Sequence, residues 1–337
     1  MKPFSLFAAA VFSVFPALAA AADAPLLKAG DRVALVGNTL VERARLYGHL
    51  EAALQTAADA AAESITIRNF GWSGDSVLGD SRSYFGPPQE GRDRLDKVIG
   101  EFKPTVLVLC YGTGEAMSVD QGWTEEKGKA EQSAAGLDQS LSLFIEGYQD
   151  LLTRLETAVG DPLREVVLIS PPPLENLGDP MPDQTENNAR LAKFRDAIRE
   201  LSEKNGARFV DLFGALGGDT FSGGKADPAL TTNGVHYSEA GYRVLASELV
   251  SELGYRETQS ITINEPAEEE LVAAIVEKNR LFFHRWRPVN ETYLFLFRKH
   301  EQGQNAKEIP MFDPLVARQD ARIEAARKQL LEPKVKN

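Results

Sequence analysis

Cysteine and histidine are scarce in this 337-residue chain, and the 37 basic residues are fewer than the 49 acidic ones. The single cysteine, Cys110, cannot form an internal disulfide, and its place in the apolar run TVLVLC predicts a buried thiol. The four histidines form no HExxH pattern and have no paired cysteines beside them, so we expect no bound metal. The formal net charge of −12 argues against nucleic acid and anionic lipid surfaces as partners, because both select basic patches.

Long hydrophobic runs are also missing, apart from one at the start of the chain. No segment after residue 22 reaches the ~18 apolar residues of a membrane-spanning helix, so we expect no membrane partner. Residues 1–22 combine Lys2, an apolar stretch of secretory length and small residues suited to cleavage, which is typical of a signal peptide. An uncleaved anchor helix is the alternative. The sequence thus predicts a secreted or periplasmic protein.

Short β-branched runs alternate with amphipathic segments over residues 23–254. Continuous apolar runs suit strands that are buried on both faces of a parallel sheet, and the alternation indicates a doubly wound α/β domain. The predicted strands are 32–36, 64–68, 104–110, 165–170 and 207–211. The predicted helices are 40–57, 91–102, 137–158, 186–205 and 238–253. In such sheets ligands bind at the carboxyl ends of the strands.

Residues 255–337 have a different pattern. A polar connector leads to a predicted helix at 265–284, then to an irregular segment with prolines and to a charged helix at about 314–332. This pattern predicts a C-terminal helical extension and not a further strand–helix unit. The aromatic residues of the extension are too apolar to remain in water, so we expect it to pack on the main domain.

Four segments that follow predicted strands contain the residues best suited to chemistry. They are GNTLVE at 37–42, NFGWSGDS at 69–76, YGTGEA at 111–116 and LTTNGVHYSEAGY at 230–242. Together they supply a hydroxyl group, a glycine-rich turn with backbone N–H donors and a histidine on a loop. A nucleophile, oxyanion donors and a base are the groups that acyl transfer needs.

In order, spacing and strand context, these four blocks resemble the SGNH (GDSL-type) hydrolases over residues 30 to about 252. The resemblance implies a flavodoxin-like, three-layer α/β/α sandwich with a five-stranded parallel sheet. It also implies an esterase that needs no cofactor and acts on a small-molecule or carbohydrate ester. The segments GNTL, NFGWSGD and LTTNGVH, followed by KNRLFFHRWRP, look like a GNT-type bacterial subgroup of that family.

The resemblance assigns catalytic roles residue by residue. Thr39 falls on the nucleophile, His236 on the base and Asn233 on the residue that orients the base. The expected oxyanion groups are the backbone N–H of Thr39, the backbone N–H of Gly74 and the position of Gly114, where the family has an asparagine. Because serine, aspartate and asparagine of the family pattern are here Thr39, Asn233 and Gly114, we expect a slow site.

Further residues flank the proposed pocket, and we interpret four of them as substrate-binding: Asn38, Trp72, Tyr111 and Glu115. The aromatic side chains suit stacking on sugar rings, although aromatic residues beside a site often only form its walls. Asn38 is a further departure, since the family has an aspartate there. Nearby acidic residues on loops are expected to be solvated: Asp75, Glu175, Asp179 and Asp183.

Thr39 also has a structural interpretation. Threonine at the end of a strand ordinarily caps a helix, and Glu42 three residues later completes a capping-box pattern. The leading function is nevertheless an esterase that removes acetyl or similar small acyl groups from carbohydrate. The alternatives are a non-catalytic module that binds glycan or an acylated ligand, and a structural partner domain. A distance of about 3 Å between Thr39 Oγ1 and His236 Nε2 would favour the enzyme.

Overall fold

The sheet is the centre of the computed structural model, which describes residues 26–57, 65–118, 136–218, 228–255 and 266–331. The predicted signal peptide at 1–22 lies outside these ranges. Within them, five strands pair in parallel in the order β2-β1-β3-β4-β5. They are Arg32–Gly37 (β1), Thr66–Asn69 (β2), Val106–Cys110 (β3), Glu165–Ile169 (β4) and Arg208–Val210 (β5). The predicted five-stranded parallel sheet is confirmed.

Helices cover both faces of the sheet, as a doubly wound fold requires. In chain order they are Thr39–Tyr47 (α1), His49–Ala57 (α2), Pro88–Phe102 (α3), Thr113–Met117 (α4), Leu137–Val159 (α5), Thr185–Asn205 (α6), Leu212–Ala215 (α7) and Glu239–Glu252 (α8). The side chains of alternate residues of β1 point to opposite faces of the sheet. Ala34 and Val36 join a core with α3, α5 and α6, whereas Val33 and Leu35 join a core with α1, α2 and α8. The three-layer arrangement follows.

The segment predicted as one helix at 40–57 is two helices, and the break is at Gly48. This residue has the left-handed backbone conformation (φ 74°), and its N–H caps α1 by donating to the carbonyl of Ala44. A Cβ at this position would lie 3.2 Å from the side chains of Ile275 and Val276. Glycine therefore permits both the turn and the close approach of the C-terminal extension.

The extension consists of two long helices that pack against each other and of short helical segments between them. Its elements are Pro266–Trp286 (α9), Glu291–Leu294 (α10), Lys299–Gln302 (α11), a 3₁₀ segment at Gly303–Phe312 and Asp313–Leu331 (α12). Leu271 and Ile275 of α9 share a buried cluster with Ile323 of α12 and Ala52 of α2. None of the helices in the described ranges has the length and hydropathy needed to cross a membrane.

The extension also covers the open edge of the sheet at β2. Lys278 of α9 is fully buried, and its Nζ donates to Glu51 Oε2 at 2.7 Å and to the carbonyl of Ile67 at 3.0 Å. Arg68 of β2 forms a two-pronged pair with Asp320 of α12. Because an unpaired strand edge invites association with other chains, we infer that α9 and α12 protect this edge.

We expect Lys278→Met to lower the free energy of unfolding by about 3–5 kcal/mol, because breaking a buried pair leaves an uncompensated charge. Urea denaturation followed by circular dichroism measures this change. The matched control is Lys328→Met, which removes an exposed i,i+4 pair with Glu324 in α12 and is expected to change stability by at most about 0.5 kcal/mol. An equally small loss for both variants would contradict a role of Lys278 in anchoring the extension.

Candidate active site

A pocket of about 190 Å³ lies at the carboxyl ends of the sheet strands. It brings together five of the residues that the sequence predicts for the site, namely Asn38, Thr39, Gly74, Gly114 and His236. They arrive on four separate connections, since the first pair follows β1, Gly74 follows β2, Gly114 follows β3 and the histidine precedes α8. Convergence of this kind at one edge is the placement that an α/β enzyme uses for its ligand.

Thr39 is the first residue of α1 and does not cap it. The cap is Asn38, whose side chain accepts from the N–H of Leu40 at 3.1 Å. The capping-box interpretation of Thr39 and Glu42 is therefore wrong. The backbone N–H of Thr39 makes no hydrogen bond within the described residues. It belongs to the first turn of a helix, where free N–H groups and the helix dipole favour negative charge.

Gly74 directs its backbone N–H at the proposed nucleophile. It donates to Thr39 Oγ1 at 3.1 Å, from a turn in which Gly74 has a φ of 78°. Residues with side chains rarely adopt this conformation, so the glycine fixes the direction of the N–H. An oxyanion that forms beside Thr39 Oγ1 lies within reach of the same donor.

A buried ion pair between Asp75 and Arg82 supports this turn. Asp75, expected to be solvated, is buried, and its Oδ2 accepts from Arg82 Nε at 2.6 Å and from the Tyr111 hydroxyl at 3.0 Å. Arg82 Nη2 donates to the carbonyl of Phe70 at 3.0 Å. Burial raises the pKa of Tyr111 well above its ordinary value, so the hydroxyl stays a donor. Tyr111 is thus a support of the turn, and its buried position differs from the expected contact with substrate.

The extension reaches the other side of the same turn. Glu42 Oε2 accepts from the N–H of Ser73 at 2.6 Å and from Arg287 Nη1 at 2.8 Å. The Arg287 guanidinium also lies over the Trp72 ring, 3.5 Å from its centroid. Trp72 is only 4% exposed, so it is packed against the extension and is not free to stack on a sugar. Residues far apart in sequence therefore hold the donor turn between them.

Gly114 and Glu115, two further residues predicted after β3, differ in their position relative to the pocket, because only Gly114 lines it. Glu115 is buried, and its two carboxylate oxygens accept from the N–H groups of Val77 and Gly112, both at 3.1 Å. Burial raises the pKa of Glu115 to about 7. Glu115 is thus a structural acceptor that does not line the pocket. Gly114 does line it, and a Cβ built there meets no atom within 4 Å.

A third buried carboxylate, Glu175, holds the loop that presents the histidine. Glu175, also expected to be solvated, accepts from the N–H of Thr231 at 2.7 Å and from the Thr231 hydroxyl at 2.7 Å. It is fully buried. The sequence offers one signal for this role, because Glu175 follows β4 at the same edge of the sheet as the four blocks. Its partner Thr231 lies 56 positions later in the chain, and no local pattern in the sequence indicates this contact.

Asn233 contacts His236 in an orientation that differs from the expected one. Its amide oxygen accepts from the N–H groups of Val235 at 3.1 Å and of His236 at 2.8 Å. Its amide nitrogen consequently faces His236 Nδ1, at 3.3 Å. Because that nitrogen is a donor, Nδ1 must accept, and the proton of a neutral imidazole then resides on Nε2. A histidine in this tautomer cannot take a proton through Nε2.

No hydrogen bond joins Thr39 to His236 in the described part of the chain, although both side chains line the pocket. Catalytic hydrogen bonds often form only when substrate is present, so the two roles stay predictions. Burial lowers the pKa of His236, and the positive charge of Arg43 lowers it further. The imidazole is therefore neutral near pH 7, as a base requires.

We expect Asn233→Asp to improve the base, because a carboxylate accepts from Nδ1–H and stabilises the imidazolium. The kcat/KM of an esterase rises with pH as the histidine loses its proton. In the parent, this rise should have its midpoint below the ordinary histidine value, since the His236 pKa is lowered. In Asn233→Asp the midpoint should move to higher pH, with a higher plateau.

The pH–rate profile of both proteins with a chromogenic acetyl ester measures the shift. Asn290→Asp is the control, because it adds the same charge on the extension, at the cap of α10. A profile that moves equally in both variants would reflect net charge alone and would argue against the pairing of Asn233 with His236.

Arg43 gives the pocket a positive charge. Its side chain lines the pocket, and its buried Nε has no hydrogen-bond partner in the described part of the chain. The other charged residue in the lining, Asp75, is paired with Arg82. Across the described ranges, no three His, Cys, Asp or Glu side chains are grouped so that they could hold a metal ion.

Known proteins resemble the chain in sequence pattern and in fold. The profile of the GDSL-like lipase/acylhydrolase family matches residues 30–244. A gut microbial diltiazem-metabolizing enzyme has 21% identity and a TM-score of 0.50, with 68% of this chain and 48% of that chain covered. A catalytic mutant of an acetylxylan esterase from Geobacillus stearothermophilus has 16% identity and a TM-score of 0.50, with 69% and 99% covered. The match thus spans about half the length of the gut enzyme. No curated protein matches.

Proposed function

Because this chain belongs to the GDSL-like lipase/acylhydrolase family, we propose that it is an esterase that releases acetyl or similarly small acyl groups. The observation that carries the proposal is the contact between the Gly74 N–H and Thr39 Oγ1, in a pocket that also contains His236. The pocket, about 190 Å³, is smaller than the roughly 300–1,000 Å³ of sites for drug-sized ligands. Its size favours a short acyl group.

In the proposed mechanism, His236 takes the proton of the Thr39 hydroxyl as Oγ1 attacks the ester carbonyl carbon. The carbonyl oxygen becomes an oxyanion that accepts from the N–H groups of Thr39 and Gly74. The imidazolium then protonates the departing alcohol, which leaves an acyl-threonine. A water molecule, deprotonated by His236, attacks this ester and releases the carboxylic acid and the free hydroxyl.

The rearrangement of the Asn233 side chain and of the imidazole proton is the slow step of this mechanism. Before His236 can accept through Nε2, its own proton must move to Nδ1, and the Asn233 amide must then turn its oxygen toward the ring. The turn costs the two hydrogen bonds that this oxygen accepts from backbone N–H groups. We propose that this is how a GNT-type subgroup with threonine and asparagine works, at a reduced rate.

We propose that the protein is exported from the cytoplasm and that its substrates are carbohydrate esters. The support for this proposal is the signal-peptide pattern of residues 1–22, because an exported esterase meets acylated polysaccharide. N-terminal sequencing of the exported protein tests export, and a mature chain that begins within Ala20–Asp23 is the expected result. A chain that still begins at Met1 would contradict it.

A module that binds an acylated ligand without cleaving it is the second candidate. The tautomer of His236 and the missing side-chain donor at Gly114 favour it. Incubation with 4-nitrophenyl acetate separates the two. We expect an acetyl adduct on Thr39 by mass spectrometry, together with continued release of nitrophenolate. Binding of acetylated xylooligosaccharide with neither adduct nor turnover would favour the module.

A further inference from the structure

Arg43 is a cation without an anionic partner among the residues that the structure describes. The residue lies four positions after Thr39 on α1, so both side chains are on the same face, with roughly 5–6 Å between their Cβ atoms. Both line the pocket. Arg43 Nε is buried and has no hydrogen-bond acceptor, and no ion pair of Arg43 occurs within the described residues.

The neighbouring arginine on α1, Arg45, also has a buried Nε without a hydrogen-bond partner among the described residues, but it has an aromatic partner. Arg45 lies over the ring of Phe283, 4.0 Å from its centroid, and so is packed against the extension. Arg43 has no such aromatic partner in the described structure. A buried guanidinium nitrogen without an acceptor is costly unless an acceptor arrives with a ligand.

We propose that Arg43 recognises a carboxylate on the substrate, so that the preferred substrates are acyl esters with an acidic group within about one helical turn of the scissile bond. A planar guanidinium pairs with a carboxylate through two parallel hydrogen bonds, which a compact pocket can align. The inference rests on the proposed esterase activity and defines its substrate class. The carboxylate belongs either to the alcohol part, as in a uronic acid sugar, or to the acyl part, as in a hemisuccinate.

A bound carboxylate also has a consequence for the base. The charge of Arg43 is one of the two causes that lower the pKa of His236. An anion on Arg43 offsets that charge, so an acidic substrate brings part of the electrostatic support that an aspartate at position 233 would supply. Neutral esters lack this support.

Two pairs of esters test the proposal and separate the two sources of the carboxylate. Acetylated methyl glucuronoside and acetylated methyl glucoside differ in the acid of the sugar, whereas 4-nitrophenyl hemisuccinate and 4-nitrophenyl butyrate differ in the acid of the acyl group. We expect kcat/KM to favour the acidic member of one pair by on the order of 10- to 100-fold, the range of a charge-assisted contact. No preference in either pair would overturn the proposal.

Arg43→Gln should abolish this preference, and Arg43→Lys should retain part of it. Arg45→Gln is the matched control, because it removes an equal charge from the same helix outside the pocket, and it should keep the parent's ratio. A ratio that falls equally in Arg43→Gln and Arg45→Gln would indicate a general effect of charge and would contradict recognition by Arg43. Thermal melting checks that each variant is folded.

Failure of the proposed function is distinguishable from failure of this inference. If the parent cleaves none of the four esters, titration calorimetry with methyl glucuronoside, methyl glucoside and succinate monomethyl ester still tests the site. Binding of an acidic compound that is lost in Arg43→Gln and kept in Arg45→Gln supports recognition of a carboxylate without catalysis. Absence of binding by both acidic compounds would overturn the inference.

Discussion

Thr39→Ala is expected to reduce ester hydrolysis by at least ~10³-fold, to the background rate, because no acyl-enzyme forms without the hydroxyl. The pocket and the fold should remain, since Thr39 does not cap α1 and, among the described residues, its Oγ1 accepts only from the Gly74 N–H. Initial rates with a chromogenic acetyl ester, and the acetyl adduct by mass spectrometry, both measure the loss. A variant as active as the parent would disprove the nucleophile.

Two further variants make the Thr39 result specific. Thr39→Ser keeps the hydroxyl and removes the methyl group that crowds the attack, so it should raise activity modestly. Thr153→Ala removes an exposed threonine hydroxyl from α5, where the hydroxyl donates to the carbonyl of Gln149, and it should leave activity unchanged. His236→Ala should match Thr39→Ala, because the groups of a triad fail as a unit.

Gly114→Asn is expected to raise activity on the order of ~10²-fold, the usual value of one oxyanion donor. The resemblance places the family's asparagine at this position, and the first carbon of its side chain has room, since a Cβ at Gly114 meets no described atom within 4 Å. Rates for the parent and the variant with one acetyl ester give the comparison. The gain should appear in kcat, because the added N–H donates to a charge that exists only in the transition state.

The controls for Gly114→Asn separate the donor from the added bulk. Gly114→Ala adds a Cβ without an amide, and Gly136→Asn adds the same side chain where a Cβ also meets nothing, at the cap of α5. Neither should accelerate hydrolysis. Equal rates for the alanine and asparagine variants would show that no donor was gained, and the assignment of Gly114 to the oxyanion site would then be wrong.

The sheet was predictable from sequence because its strands are short apolar runs whose two faces are both buried. Val33 to Val36 illustrate this, since alternate residues enter opposite cores and none needs a polar partner. The family and the four blocks at the strand ends were predictable for a related reason. Parallel strands bring their carboxyl ends to one edge, so the order of the blocks along the chain is enough to collect them.

Side-chain direction beyond the strand ends was not predictable. Tyr111 and Glu115 follow β3 within a few residues of Gly114, yet they are turned into the core by partners on another loop, Asp75 and the N–H of Val77. Local sequence does not state which side of a turn faces the pocket. Burial of Asp75 likewise depends on Arg82, whose guanidinium compensates the carboxylate, and no loop pattern reveals that pairing.

The two tryptophans beside Arg287, Trp72 and Trp286, give the protein an internal optical probe. Trp72 and Trp286 lie 5.8 Å apart by ring centroid, and they are two of the three tryptophans in the chain. Trp72 directly precedes Ser73 and Gly74, the turn that contains the proposed oxyanion donor. A ligand that displaces this turn alters the surroundings of both indoles. Intrinsic fluorescence and near-ultraviolet circular dichroism can therefore follow occupancy of the pocket in the unlabelled protein.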